Sequence, residues 1–209
     1  MTGRGGWVDP YAGMPGRRLF IAVPLPAGAV EAVARVVDSV RAMPLPDGSR
    51  DVRWVRLDGL HLTLRFLGPT PEDRVGQTSA AMASVAAHTL PSMGGLAGSG
   101  VFPMTGRPRT LWIGVVEGAA ALGQMSRDLA AALESAGWPP DARPFRAHLT
   151  LARSDGIAAG SLVADRLEAA LGGQTIPFMI DRLMLYESVT GGGPARYLPV
   201  SEAPLGDSR

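Results

Sequence analysis

The chain has 209 residues, of which 46% are hydrophobic and 19% are charged, a composition typical of a globular protein. The formal net charge of +1 argues against a protein that coats long nucleic acids, although it allows a local phosphate pocket. The absence of cysteine excludes disulfides and thiolate metal sites. Because the chain contains no lysine, any cationic side chain that binds phosphate must be arginine.

Strands and helices alternate in the first half of the predicted secondary structure. A short apolar run over 18–24 predicts a strand, and valines at helical spacing predict a helix over 27–41. Two further strands are predicted over 52–57 and 61–67, with a turn at Asp58 and Gly59 between them. A helix is predicted over 71–87, with Thr70 as its N-cap and Pro71 at its first position.

The second half of the chain repeats this alternation. The predicted strands cover 110–116, 146–153, 175–188 and 196–200, and the predicted helices cover 119–136 and 158–171. The strand over 175–188 is long enough to be bent. Several strands are expected to be connected as hairpins, so the pattern predicts an α+β fold with mostly antiparallel sheets.

Both ends of the sequence lack hydrophobic periodicity. Residues 1–16 are rich in glycine and predict a flexible N-terminal tail, and 201–209 predict a shorter C-terminal tail. The first residues lack the apolar segment of a signal peptide, and no apolar run reaches the roughly 20 residues that span a bilayer. We therefore expect a cytoplasmic monomer without membrane contacts.

The sequence His-Leu-Thr-Leu occurs twice, at 61–64 and at 148–151, and uses two of the three histidines in the chain. Side chains alternate between the two faces of a strand, so His61 and Thr63 are predicted to share one face. His148 and Thr150 are predicted to do the same in the second half. An internal duplication with pseudo-two-fold symmetry would bring both pairs to one groove.

Two imidazoles and two hydroxyls suit the opening of a phosphodiester by water. One histidine can take a proton from the water while the other gives a proton to the departing oxygen, since an unperturbed histidine titrates near pH 6.5. The threonine hydroxyls can donate hydrogen bonds to the non-bridging phosphate oxygens, on which charge develops in the transition state. This scheme needs neither a metal nor a cofactor.

The two motifs resemble the paired His-x-Thr-x motifs of the two-histidine phosphoesterase superfamily. In particular the sequence is similar to the bacterial and archaeal RNA 2′,3′-cyclic phosphodiesterases, also called 2′-5′ RNA ligases. The similarity covers roughly 17–200. It extends to segments 18–26, 52–56, 60–68, 107–114, 145–153, 185–188 and 195–197.

The resemblance implies a single bilobal domain over 17–200 with a central cleft, and an RNA or nucleotide substrate that ends in a 2′,3′-cyclic phosphate. It implies metal-independent hydrolysis to a 2′-phosphate, with Thr63, Thr150 and Arg153 holding the phosphate. We assign His61 as the acid and His148 as the base, although the exchanged roles fit the sequence nearly as well. Ala147 stands where the family often has proline, a change that removes no catalytic group.

Four alternatives stay open from the sequence. The same core could act on 2′-5′ oligonucleotides, or could run in reverse as a 2′-5′ RNA ligase. A non-catalytic module that binds RNA ends would also use such a groove, although binding alone does not require two titratable groups. A zinc site is the weakest alternative, because no carboxylate lies at ligand spacing from the histidines.

Overall fold

The computed structural model describes residues 15–45, 52–141, 144–154, 159–191 and 194–206. The helices in these segments are α1 (Ala27–Arg41), α2 (Glu72–Ala87), α3 (Ala119–Ser135) and α4 (Gly160–Leu171). The strands are β1 (Arg17–Pro24), β2 (Val52–Trp54), β3 (His61–Thr70), β4 (Ser92–Phe102), β5 (Thr110–Glu117), β6 (His148–Ser154), β7 (Ile176–Ile180), β8 (Arg182–Val189) and β9 (Arg196–Pro204). None of the described helices is long and apolar enough to cross a membrane.

Two antiparallel sheets form the frame of the molecule. One has the strand order β3-β1-β8-β9 and is covered by α2 and α3, and the other has the order β2-β6-β5-β4-β7 and is covered by α1 and α4. Each sheet contains one His-Leu-Thr-Leu strand, β3 in the first and β6 in the second. These two strands contact each other, so both motifs lie where the sheets meet. The predicted α+β fold is confirmed.

Two connections and one helix cap differ from the sequence predictions. Strands β2 and β3 form no hairpin, because β2 pairs with β6 and β3 pairs with β1 in the other sheet. The predicted strand over 175–188 is broken at Asp181 into β7 and β8, which also belong to different sheets. Thr70 is not a helix cap: it ends β3, and its hydroxyl donates a hydrogen bond to the Gly68 carbonyl at 3.1 Å.

The C-terminal strand is longer than predicted. β9 continues to Pro204, and Ala203 and Leu205 are buried in the core. The segment 201–206 therefore packs on the domain instead of forming a tail. The predicted N-terminal tail falls almost entirely outside the described residues.

The glycine-rich strand β4 was missed because glycine is depleted in strands and gives no periodic signal. Here the glycines make room for large side chains on neighbouring strands. A Cβ at Gly94 would lie 2.4 Å from Cζ of Phe178, and a Cβ at Gly100 would lie 2.4 Å from Cζ2 of Trp112. The absence of a side chain at these positions is thus a packing requirement.

Gly94→Ala should lower the free energy of unfolding by roughly 1–3 kcal/mol, the usual effect of overpacking a core. Urea denaturation of purified protein would measure it. The matched control is Gly76→Ala in the exposed part of α2, where an added Cβ meets nothing within 4 Å. This substitution should raise the free energy of unfolding by about 0.5–1 kcal/mol. Equal effects at the two positions would contradict this account of β4.

Candidate active site

The two histidines begin their strands in equivalent positions. His61 is the first residue of β3 and pairs with Pro24 of β1, and His148 is the first residue of β6 and pairs with Gly114 of β5. The leucines that follow them are at most 4% exposed, so they anchor both strands in the core. Strands β3 and β6 contact each other, and a charge on His148 lowers the pKa of His61. The predicted convergence of the two motifs is therefore present.

A backbone carbonyl holds each imidazole ring. Nδ1 of His61 lies 2.7 Å from the carbonyl oxygen of Gly59, and Nδ1 of His148 lies 2.7 Å from that of Arg146. Because a carbonyl can only accept, Nδ1 must carry the proton in both rings. Nε2 is then the basic nitrogen of each neutral histidine, which is the atom that can exchange protons with a substrate.

The two motif threonines are half-buried and lie on the same strand faces as the histidines. Thr63 pairs with Ala22 of β1, and Thr150 pairs with Trp112 of β5. Within the described segments neither hydroxyl hydrogen-bonds another protein group. Both hydroxyls can therefore serve a ligand between the two strands.

Each motif ends in a β-bulge, at the same position in the two strands. Leu64 is the extra residue in β3, where Thr63 pairs with Ala22 but Arg65 pairs with Ile21. Leu151 is the extra residue in β6. A bulge shifts the alternation of side chains by one residue. The fifth residue after each histidine therefore returns to the histidine face.

This shift determines which arginine joins the cleft. In a regular strand Arg153 would face away from His148, but the bulge turns it to the same face, where it pairs with Thr110. Arg65 turns instead to the core side, where its side chain is 5% exposed and its guanidinium hydrogen-bonds the carbonyl of Pro139. Of the two motif arginines, only Arg153 is placed to meet a phosphate.

Arg153 lies where the two sheets approach each other. Its Nη1 donates a hydrogen bond of 2.7 Å to the hydroxyl of Thr110. Partial burial lowers the pKa of Arg153, and the nearby Tyr197 raises it. Tyr197 belongs to β9 of the opposite sheet, so Arg153 reaches across the cleft.

Aromatic side chains surround His61. The ring centroids of Phe20 and Tyr197 lie 4.8 and 4.7 Å from that of His61, and the Tyr186 ring lies 5.9 Å away. Burial among these rings, opposed by the hydrogen bond to Gly59 and aided by the charge of His148, lowers the pKa of His61 to about 4. His61 is thus neutral over the physiological range.

The surroundings of His148 are more polar. The Phe102 ring meets it edge-on at 5.0 Å, and the Arg146 guanidinium lies over the rings of Phe102 and Trp112 at 5.7 and 5.1 Å. Burial lowers the pKa of His148, and Arg153 and Arg146 lower it further, whereas the hydrogen bond to the Arg146 carbonyl raises it. Only for His61 does the depression reach about 4.

Several cleft residues could not be recognised from the sequence. Phe20 lies in a strand that is buried on both faces, so no alternation marks it. Neither Thr110 nor Arg146 has a motif of its own: Thr110 is found through its pairing with Arg153 of β6, and Arg146 through the contact of its carbonyl with His148. Within the described part of the chain, no three His, Asp or Glu side chains cluster as a metal site would require.

Comparison with known proteins identifies the family of this chain. The sequence model of the 2′-5′ RNA ligase superfamily matches residues 28–192. The chain belongs to the 2′-5′ RNA ligase superfamily. An RNA 2′,3′-cyclic phosphodiesterase from Geobacillus stearothermophilus is 40% identical over 135 residues, which are 64% of this chain and 41% of that relative. The chain thus spans less than half of the length of this curated relative.

Solved structures with the same fold are also known. The crystal structure of TT0787 of Thermus thermophilus has a TM-score of 0.71 and 25% identity, and the alignment covers 92% of this chain and 100% of that one. E. coli LigT complexed with 3′-AMP has a TM-score of 0.68 and 25% identity, with 90% and 98% covered. The predicted family and fold are confirmed.

Proposed function

We propose that this protein hydrolyses the 2′,3′-cyclic phosphate ends of RNA or nucleotides to 2′-phosphates, without a metal. The observation that carries the proposal is the meeting of two His-Thr pairs and one arginine in a single cleft. Each histidine has a defined tautomer, and each threonine hydroxyl can serve a ligand. The names of the Geobacillus relative and of the LigT complex with 3′-AMP support the same substrate class.

The groups present account for every atom that moves. Water attacks phosphorus while Nε2 of one histidine takes a proton from it. The bond from phosphorus to the ribose 3′-oxygen breaks, and the other histidine protonates this oxygen. Thr63 and Thr150 donate to the non-bridging oxygens, and Arg153 offsets their growing negative charge. The product is a 2′-phosphate monoester.

We assign His61 as the base and His148 as the acid. The sequence argument made the opposite choice, with the exchange nearly as acceptable. The base must be neutral when substrate binds, and the aromatic surroundings keep His61 neutral. The acid must hold a proton, which suits the histidine in the more polar surroundings.

Replacement of the 3′-oxygen by sulfur separates these two roles. A thiolate leaves without a proton, so the thio-substituted cyclic nucleotide should restore most turnover to His148→Ala and little to His61→Ala. If the thio substrate restored turnover only to His61→Ala, His61 would be the acid and His148 the base, as first assigned from the sequence.

The pH dependence of kcat/KM should be bell-shaped, with its maximum on the acidic side of pH 6.5. The value of kcat/KM falls at low pH as the base gains a proton, and this fall lies near pH 4 if His61 is the base. It falls at high pH as the acid, His148, loses its proton. Because bound phosphate stabilises protonated histidine, the kcat profile should lie at higher pH. Initial rates at constant ionic strength would measure both curves, and a flat response between about pH 5 and 9 would exclude a histidine pair.

The direct test is turnover of adenosine 2′,3′-cyclic phosphate and of a short RNA with the same end, both in EDTA. Formation of the 2′-phosphate is expected with both substrates. Loss of activity in EDTA that added metal restores would instead revive a metal site. Tight binding of the RNA without any turnover would indicate a module that only binds RNA ends.

Joining the cyclic end to a 5′-hydroxyl uses the same groups in the same roles: the 5′-hydroxyl replaces water as the nucleophile, the bond to the 3′-oxygen again breaks, and a 2′-5′ linkage forms. Water is far more abundant than RNA ends, so hydrolysis should dominate in an open cleft. Supplying a 5′-hydroxyl RNA in the same assay would measure the share of ligation. The cytoplasmic location and the monomeric state stay predictions from the sequence.

A further inference from the structure

A row of polar side chains leads from the catalytic cleft to the edge of the five-stranded sheet. Thr110 of β5 pairs with Arg153 of β6, and Arg153 pairs on its other side with Arg53 of β2. Directly paired residues of antiparallel strands share one face, so all three lie on the histidine face of the sheet. β2 is the edge strand, and Arg53 is exposed there.

The strand that carries Arg53 is held firmly on both sides of it. Val52 and Trp54 pack against the core, and the Arg41 guanidinium lies 5.1 Å from the centroid of the Trp54 ring. The Val55 amide donates a hydrogen bond of 2.9 Å to the Leu151 carbonyl in the bulge of β6. The position of Arg53 is therefore tied to the same bulge that turns Arg153 toward the cleft.

The arrangement of the two arginines favours an anionic ligand. Their strands are about 5 Å apart, and an arginine fork can bind phosphate oxygens in two directions at once. An extended anion that leaves the cleft along this row can therefore meet both guanidiniums.

We propose that Arg53 binds the phosphodiester on the 5′ side of the terminal nucleoside of an RNA substrate. This inference rests on the proposed function, in which Arg153 holds the cyclic phosphate. A cyclic mononucleotide lacks the 5′ phosphodiester. Arg53 would then make the enzyme prefer RNA ends over free cyclic nucleotides, although it touches no reacting atom.

The ratio of kcat/KM for a short RNA with a cyclic end to kcat/KM for the cyclic mononucleotide measures this preference. In Arg53→Gln the ratio should fall roughly tenfold, and the dependence of log kcat/KM for RNA on log salt should become shallower by about 0.7. Arg35→Gln, an exposed arginine in α1, is the matched control and should leave the ratio and the salt dependence as they are.

An RNA with a neutral methylphosphonate at that one linkage completes the test. It should lower the ratio for the wild-type protein as much as Arg53→Gln does, and it should have little further effect in the variant. An unchanged ratio in Arg53→Gln, or additive losses from the variant and the methylphosphonate, would overturn the inference while leaving the proposed function intact. If the wild-type protein turned over neither substrate, the proposed function itself would fail and this inference with it.

Discussion

Replacing either cleft histidine should lower kcat/KM for cyclic phosphate hydrolysis by about three orders of magnitude, within the range usual for a positioned acid or base. Each of His61→Ala and His148→Ala removes one end of a proton transfer that needs both ends. The double variant should therefore be little worse than either single variant. Steady-state rates of the three variants on the same RNA would measure these effects.

Loss of packing must be separated from loss of chemistry, since three aromatic rings surround His61. His61→Asn keeps an N–H that can donate to the Gly59 carbonyl but removes Nε2, so it should be folded and equally inactive. The third histidine offers a control: His88 is exposed at the end of α2, and its Nδ1 lies 2.7 Å from the Ser84 carbonyl oxygen. His88→Ala should keep full activity. Modest losses that multiply in the double variant would refute the paired acid–base scheme.

Strand alternation predicted the histidines and threonines correctly because it holds locally over the first residues of each motif. It could not place Arg153 and Arg65, since the bulges at Leu151 and Leu64 leave no mark in a run of apolar residues. Family resemblance pointed to Arg153, and the register explains why it and not Arg65 reaches the cleft. One extra residue per strand thus decides which charge enters the site.

Long-range pairing was the main failure of the sequence analysis. The short link between β2 and β3 looked like a hairpin, but the two strands belong to different sheets. Local turn signals cannot distinguish these outcomes, because a turn between two strands does not show which partners the strands pair with. The same limit hid the break at Asp181, whereas the glycine-rich strand β4 was missed because of its composition.

The two halves of the cleft have equivalent strands but different side chains. Phe66 of β3 is the counterpart of Arg153 of β6, and Phe20 of β1 is the counterpart of Thr110 of β5, since each pair occupies the same register position after the bulge. One half of the cleft is therefore apolar and the other is cationic. This difference accounts for the stronger depression of the His61 pKa, and it concentrates the binding of phosphate in the β6 half.

Arg153→Gln should accordingly lower kcat/KM about 10- to 100-fold. The substitution removes a charge-assisted hydrogen bond to the phosphate, and such a bond contributes roughly 1.5–3 kcal/mol. Negative charge on the phosphate oxygens grows in the transition state, so kcat should fall as well as the affinity for substrate. Arg153→Lys should recover only part of the loss, because an ammonium cannot bind Thr110 and phosphate with one planar fork. Rates over a range of substrate concentrations would separate kcat from KM.

Thr110 should act only by positioning Arg153, through the hydrogen bond of 2.7 Å between them. Thr110→Val keeps the shape of the side chain and should lower kcat/KM several-fold in the wild-type background, but it should have no further effect once Arg153 is glutamine. Arg127→Gln on the exposed face of α3 should leave the rate unchanged. Full activity of Arg153→Gln would show that the guanidinium serves only the packing between the sheets. Independent effects of Thr110 and Arg153 would mean that the threonine meets the substrate itself.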